Sequence, residues 1–537
     1  MASGPIRALV ASLALSLIVS ACGQSAPSGG APAAAATPAP LTPIAGGTMT
    51  IRLPGDWVTL DIQGAVEQNG NQVGFATYDR LVARELNGKI VPYVAKSWTA
   101  TATEAVFTLR DDVTCSDGTK MTPTVVADSF KRLFTSGPSS LVRALGPGPY
   151  TVTPNDAAGT LSIKLGTPNS DMIAGFATQV GGIICPAGIK TPAMLANGAA
   201  GSGAYTIKSA TRGDGVVLEL RKDWKWGPNG TTAATLGLPE QITFKVMTND
   251  TTAANLLLTG GLDVAMINGP DIPRLEADKS LMAKDSPGFG TYPLIFNQRA
   301  GRVTADEKVR EAIMTAIDPK GWAIAAFAGR GNVSPSIVSQ TVACFDPSTA
   351  ALVPAPSNDK AQTLLKEAGW TLTNGKFTKD GKPLTLTLPA SQSNMPRSAT
   401  EFLQATLDKM GATVAVQDTD MPTFLVALRG GNFDIVVVPA TNGGFQISGA
   451  IPTFTGDLYP KGTNYGAIND PILETAKTAA LNAAPGDCSQ WNIVQQQLLK
   501  KKHYMPLASP VYAWFGKGVD FVTAGPFFEP WTLRRVK

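Results

Sequence analysis

Two stretches of this chain alternate strand-forming and helix-forming segments in the order that builds parallel sheets. In the first, Gln241 to Met247 is rich in β-formers, Thr251 to Thr259 reads as a helix stopped by Gly260-Gly261, and Leu262 to Ile267 is again a strand. In the second, strand Leu384 to Leu388 leads into a helix with Phe402, Leu403, Leu407 and Met410 on one face, stopped at Gly411. Strand Thr413 to Gln417, helix Pro422 to Arg429, Gly430-Gly431 and the continuous apolar strand Ile435 to Val438 complete it. Two helices with clear starts lie between the series. Thr304-Ala305-Asp306-Glu307 has the form of a capping box before Val309, Ala312, Ile313, Ala316 and Ile317, and Ser357 precedes a helix carrying Leu364, Leu365 and Ala368. This layout predicts two α/β lobes rather than one large sheet. Length agrees, because about 490 residues beyond the N-terminal segment are more than one hydrophobic core usually supports.

That N-terminal segment reads as a targeting signal. Arg7 supplies a positive end, and Ala8 to Val19 is an apolar run too short to span a bilayer as an ordinary helix. Val19-Ser20-Ala21-Cys22 then places two small residues and a cysteine at its end, a spacing that resembles a bacterial lipoprotein cleavage box. The expectation is a signal peptide over residues 1–21, lipid attachment at Cys22, and a disordered Ala/Pro/Gly/Ser-rich tether over 22–45 that lacks the side chains to bury against a core. The lipid anchor would be the chain's only contact with the membrane.

Composition excludes several classes of function. Net charge is +4 from 45 basic and 41 acidic residues, and the only basic run is Lys500-Lys501-Lys502, so nothing supports nucleic-acid binding. Four cysteines besides Cys22 suggest two disulfides in an exported chain. Sequence allows three pairings; Cys115 with Cys185 and Cys344 with Cys488 keeps each bridge within one predicted lobe. The rival, a metal site, lacks closely spaced cysteines and has a single histidine, His503, to draw on, so no metal and no cofactor is expected. Catalytic signatures are equally scarce: there is no G-x-S-x-G elbow and no phosphate-cradling glycine loop. The one S-x-x-K, Ser357 and Lys360, stands where a helix needs its N-cap, and capping is the reading adopted. The chain is expected not to be an enzyme.

A series of local phrases runs from about residue 46 to the C-terminus. It begins with Thr59-Leu60-Asp61, Tyr78-Asp79-Arg80-Leu81-Val82, Val94-Ala95-Lys96-Ser97-Trp98 and Cys115-Ser116-Asp117-Gly118-Thr119. It continues through Gly201-Ser202-Gly203-Ala204-Tyr205, Phe296-Asn297, the Lys360 to Trp370 helix and Asn464-Tyr465-Gly466. In this order and spacing the chain resembles the peptide and nickel class of extracytoplasmic solute-binding proteins, the oligopeptide- and dipeptide-binding family of ABC importers. The resemblance implies an α/β fold of the type II periplasmic-binding-protein kind (cluster C), with two lobes joined by a two-crossover hinge. Lobe one would comprise 46–293 with 507–537, including an extra subdomain at about 75–190, and lobe two 294–506. It implies a monomer that captures a peptide or peptide-like solute between the lobes and passes it to permease and ATPase subunits; haem, saccharides, aromatic compounds and nickel complexes are the alternative ligands.

Cleft residues are expected just after strand ends, where side chains project into the gap. The candidates are Asp56, Trp57, Phe289, Tyr292, Asn442, Gly443, Phe445, Asp457, Tyr512 and Trp514. The peptide binders of this family hold the ligand's amino group with an aspartate shortly after the strand matching Ile435 to Val438. Here that stretch reads Pro439-Ala440-Thr441-Asn442-Gly443-Gly444, and no acid precedes Asp457.

Overall fold

The computed structural model describes residues 41–65, 67–85, 88–440 and 446–537. The signal, the tether and Cys22 therefore lie outside the described residues, as do Asn442, Gly443 and Phe445. Thr42–Lys537 form one compact body. No helix among the described residues is long and apolar enough to cross a membrane.

The framework is a ten-stranded mixed sheet. Its strands in chain order are β1 (Thr48–Leu53), β2 (Tyr205–Thr211), β3 (Gly215–Leu220), β4 (Gln241–Val246), β5 (Val264–Ile267), β6 (Leu281–Pro287), β7 (Tyr292–Phe296), β8 (Gly331–Val333), β9 (Ile435–Val437) and β10 (Tyr504–Lys517). Spatially they run β9-β7-β10-β5-β1-β4-β3-β2, with β6 and β8 pairing onto β10. The expected series from Gln241 to Ile267 gives strands β4 and β5, but β1 lies between them, pairing in parallel with β4, in register from Thr48 opposite Gln241 to Leu53 opposite Val246, and with β5. A separate parallel pair joins Thr385–Ala390 to Thr413–Asp418. A four-stranded antiparallel sheet built from residues 95–165 stands apart from the framework.

Side-chain alternation along the strands sorts the interior into three hydrophobic clusters. Met49, Ile51 and Leu53 of β1 face the first cluster together with Val264, Met266 and Trp514; Ala265, Ile267, Ala513 and Phe515 turn to a small third cluster under the helix Asp250–Thr259. The second cluster runs from Phe289 to Ala508. The fourteen-residue β10 serves all three, with Tyr504, Met505, Leu507 and Ala508 in the second and residues from Ala513 onward in the others. Between the regions the chain passes twice. Pro287 of β6 is opposite Val511, Tyr292 of β7 is opposite Ala508, and the Gly288 amide donates to the Pro510 carbonyl at 2.8 Å.

Both disulfides form as expected, Cys115 to Cys185 and Cys344 to Cys488. Ser357 caps Asn358–Glu367, its hydroxyl accepting from the Lys360 amide at 3.3 Å. Gly203 lies so close to the Thr77 backbone that a Cβ would sit 2.5 Å from the Thr77 carbonyl carbon, so the backbone itself requires the missing side chain. One start signal is corrected. The helix Glu307–Ala316 is capped by Asp306, which accepts from the Lys308 amide, while the Thr304 hydroxyl donates inward to the carbonyls of Asn297 and Asp434. Two carbonyl acceptors, one just after β7 and one just before β9, outcompete the local box for that hydroxyl.

Candidate functional site

Where the strands of the second region end, Val438, Pro439 and Ala440 follow β9, and Asn394 follows Thr385–Ala390, its amide donating to the Val437 carbonyl at 2.8 Å. The helix Met421–Gly430 starts there after Asp420, which caps it through the Thr423 amide. Its apolar face presents Met421, Phe424, Leu425 and Leu428 to a cavity of about 520 Å³. Across that cavity stands the short helix Ser139–Leu145 of the first region, contributing Ser139, Val142 and Arg143. The volume is in the range of small-molecule sites, as is a mostly apolar wall with few polar groups.

The two walls are tied together beside the cavity. The Gln446 amide group donates to the carbonyls of Ala144 (3.0 Å) and Asp171 (2.9 Å), the Ser448 amide donates to the Asp171 carboxylate at 3.2 Å, and the Ser170 amide donates to the Leu481 carbonyl at 3.1 Å. Burial pushes the Asp171 carboxyl above the usual range, with the Ser448 amide and hydroxyl opposing the shift. Gly449 approaches Arg143 closely enough that a Cβ there would lie 3.1 Å from the Arg143 carbonyl oxygen.

None of the candidates among the described residues lines this cavity. Trp57 is placed in the interior: it is 1% exposed within the first cluster, donates its indole N–H to Asn197 at 3.2 Å and lies under the Arg212 guanidinium at 5.4 Å. Trp514 is likewise interior at 3% exposure, donating to the Gly525 carbonyl and packed against Phe521 and Phe528. In both cases long-range packing reclaims an aromatic that its position near a strand end offered to the cleft. Asp56 is exposed and accepts from the Gly213 amide, and Asp457 is exposed on a turn whose carbonyl accepts from the Asn464 amide. Phe289 is buried beside Gly525 with Arg84 over its ring at 5.1 Å, and Tyr292 packs against Trp322 and Phe327.

Tyr512 lines a second cavity, of about 550 Å³, with Pro510, Phe327, Glu276 and Arg330. Arg330 is already engaged there, pairing with Glu276 at 2.7 Å and with Asp285. Burial raises the Tyr512 phenol to about 12. The sequence reading missed Arg143, because one arginine in a seven-residue helix carries no pattern. The only signal that bore on the cavity was negative, the absent acid after β9.

No group of metal-ligating side chains occurs among the described residues. His503 is committed to the Asp470 carboxylate (3.1 Å) and the Gln298 side chain (3.2 Å), and burial lowers its pKa against the opposing pull of Asp470.

Among known proteins, the nickel-binding periplasmic protein of Escherichia coli is 25% identical over 67% of this chain and 69% of its own length. The periplasmic murein peptide-binding protein MppA of the same species is 25% identical over 88% and 87%. A substrate-binding protein from Microbacterium hydrocarbonoxydans, solved with 4-hydroxybenzoate hydrazide, superimposes with a TM-score of 0.71 at 28% identity, over 91% of this chain and all of that one. The α/β architecture is the type II periplasmic-binding fold. The pattern of the bacterial extracellular solute-binding proteins, family 5 (Middle), matches residues 89–458, well over half of the sequence, and the chain belongs to this family of substrate-binding proteins of ABC transporters, which are not enzymes.

Proposed function

We propose that this chain is the substrate-binding lipoprotein of an ABC importer, anchored through a lipid on Cys22, which captures a peptide or peptide-like solute between two lobes and delivers it to a permease with ATPase subunits. The observation that carries this reading is the 520 Å³ cavity walled by Ser139–Leu145 on one side and by Met421–Gly430 and the residues after β9 on the other. The lobes are 46–293 with 507–537, and 294–506, with the extra subdomain at about 75–190 supplying the Ser139–Leu145 wall. Only the segment between β6 and β7 and the middle of β10 join them covalently in this scheme; rotation has to open the hydrogen bonds of Gln446, Ser448 and Ser170 beside the cavity, and a ligand touching both walls favours the closed arrangement. The working unit is a monomer.

A non-peptide ligand is the second reading, and the sequence of the 439–444 segment favours it: without an acid there, a buried ammonium lacks the partner it needs. Native mass spectrometry of the purified protein separates the two, since a co-purified free peptide supports the first and a haem, saccharide, aromatic compound or nickel complex supports the second. Small-angle scattering tests closure; an unchanged radius of gyration at saturating ligand rejects it. Labelling with a radioactive fatty acid should mark the wild type and not Cys22→Ser.

A further inference from the structure

We infer that the cavity is a carboxylate-binding site, in which Arg143 pairs with the acid group of a small organic anion whose apolar body lies against Phe424, Leu425 and Val438. This rests on the cavity being the ligand site proposed above.

Arg143 has no acidic partner: among the described residues no ion pair reaches it, and its one side-chain contact is to the Ser139 hydroxyl at 3.4 Å. Residues 1–40, 66, 86, 87 and 441–445 contain no aspartate or glutamate. Other arginines of the first region, Arg52, Arg80, Arg110, Arg132 and Arg221, each hold a carboxylate within 2.8 Å. Arg143 is also desolvated; burial alone lowers its pKa, with no neighbouring charge offsetting the shift. Among the described residues the cavity lining includes no acid and no second base.

A guanidinium left like this on an apolar wall is a fixed, planar donor pair that matches a carboxylate. The same charge repels an ammonium, and no acid in 439–444 counters that repulsion. The ligand class that satisfies both facts is a monocarboxylate without a free amine: an aryl or alkyl acid, or a peptide blocked at its amino end. Asp171 does not compete, because its carboxylate faces the Ser448 amide.

The test is calorimetric titration of the mature protein with N-acetylphenylalanine, 3-phenylpropionate and 4-hydroxybenzoate, with the amide of each, and with 2-phenylethylammonium. At least one acid should bind saturably, roughly tenfold or more tighter than its amide, with no binding of the ammonium. Arg143→Gln should erase the preference for acid over amide, and Leu425→Ala should weaken acid and amide alike. No binding by any acid, an acid preference that survives in Arg143→Gln, or tighter binding of the ammonium overturns the carboxylate site. If Leu425→Ala also leaves every affinity unchanged, the cavity itself is not the ligand site and the reading beneath the proposal falls with it.

Discussion

The two main regions bury charge in different ways. In the first, buried ions are joined side chain to side chain across long stretches of chain. Arg80 holds Glu529 at 2.6 Å, Arg52 holds Asp250 at 2.7 Å, and the fully buried Asp79 accepts from the Trp226 indole at 2.6 Å and from the Tyr93 hydroxyl. In the second, buried ions bond more to the backbone. Arg310 is the clearest case, donating to the carbonyls of Lys502, Thr304, Ala305 and Lys501, with no ion pair among the described residues; Asp470 and Asp346 cap the helical segments that follow them with one carboxylate oxygen and meet the side chains of His503, Gln497 and Gln496 with the other. A side-chain pair leaves a stranded charge when one member is removed; a backbone contact leaves a neutral carbonyl. The first region should therefore be the more brittle to single substitutions at its buried ions.

The largest effect expected from this contrast is at Glu529. Its replacement by alanine leaves Arg80 buried without its carboxylate and should lower unfolding free energy by about 3–5 kcal/mol in chemical denaturation. A loss below 1 kcal/mol would remove the distinction between the regions.

Asp79 gives a pH signature. Burial pushes its carboxyl up from 3.8 to about 6 against the opposing hydrogen bonds of Tyr93 and Trp226. A folded value above the unfolded one means the protonated group favours the fold. Its contribution, about 3 kcal/mol, is complete below the unfolded value and disappears as pH rises through the folded one. Asp79→Asn should flatten the stability profile between pH 4 and 6, and an unchanged slope would show that the carboxyl is not the source.

For the second region, Arg310→Met should cost only about 1–3 kcal/mol, since the lost partners are carbonyls and the removed charge was itself desolvated. Equality with Glu529→Ala would break the comparison. The smallest effect is at Ser357, where alanine should cost about 1 kcal/mol through the lost cap and leave ligand affinity unchanged.

What was legible in the sequence was local or repetitive. The helices ending at Gly260, Gly411 and Gly431 show their stops because all three glycines adopt the left-handed conformation that such caps favour. The strands around them appear within one or two residues of their expected bounds, because the apolar runs coincide with the buried segments. Thr304 illustrates the limit: its box was correct as a local pattern and lost to the carbonyls of Asn297 and of the remote Asp434. Trp57 and Trp514 show the same limit for the site, since an aromatic near a strand end has the same local appearance whether it lines a cleft or fills a core. Arg143 was beyond reach for a different reason. Its meaning lies in which acids are absent from its surroundings, and surroundings assembled from residues 139–145 and 394–465 are not written in either segment alone.

The position of β10 bears on when the molecule can be completed. It is among the last strands of the chain, yet β5, β6, β7 and β8 all pair with it, and among the described residues β6 and β8 have no other partner in the sheet. During synthesis and passage through a membrane, β1 to β9 must all emerge, and β10 after them, before these edges can close. Until β10 arrives the framework stays open, which suits an extracytoplasmic protein that has to remain threadable, and the unpaired edges of β5 to β8 are the ones a holding factor would cover.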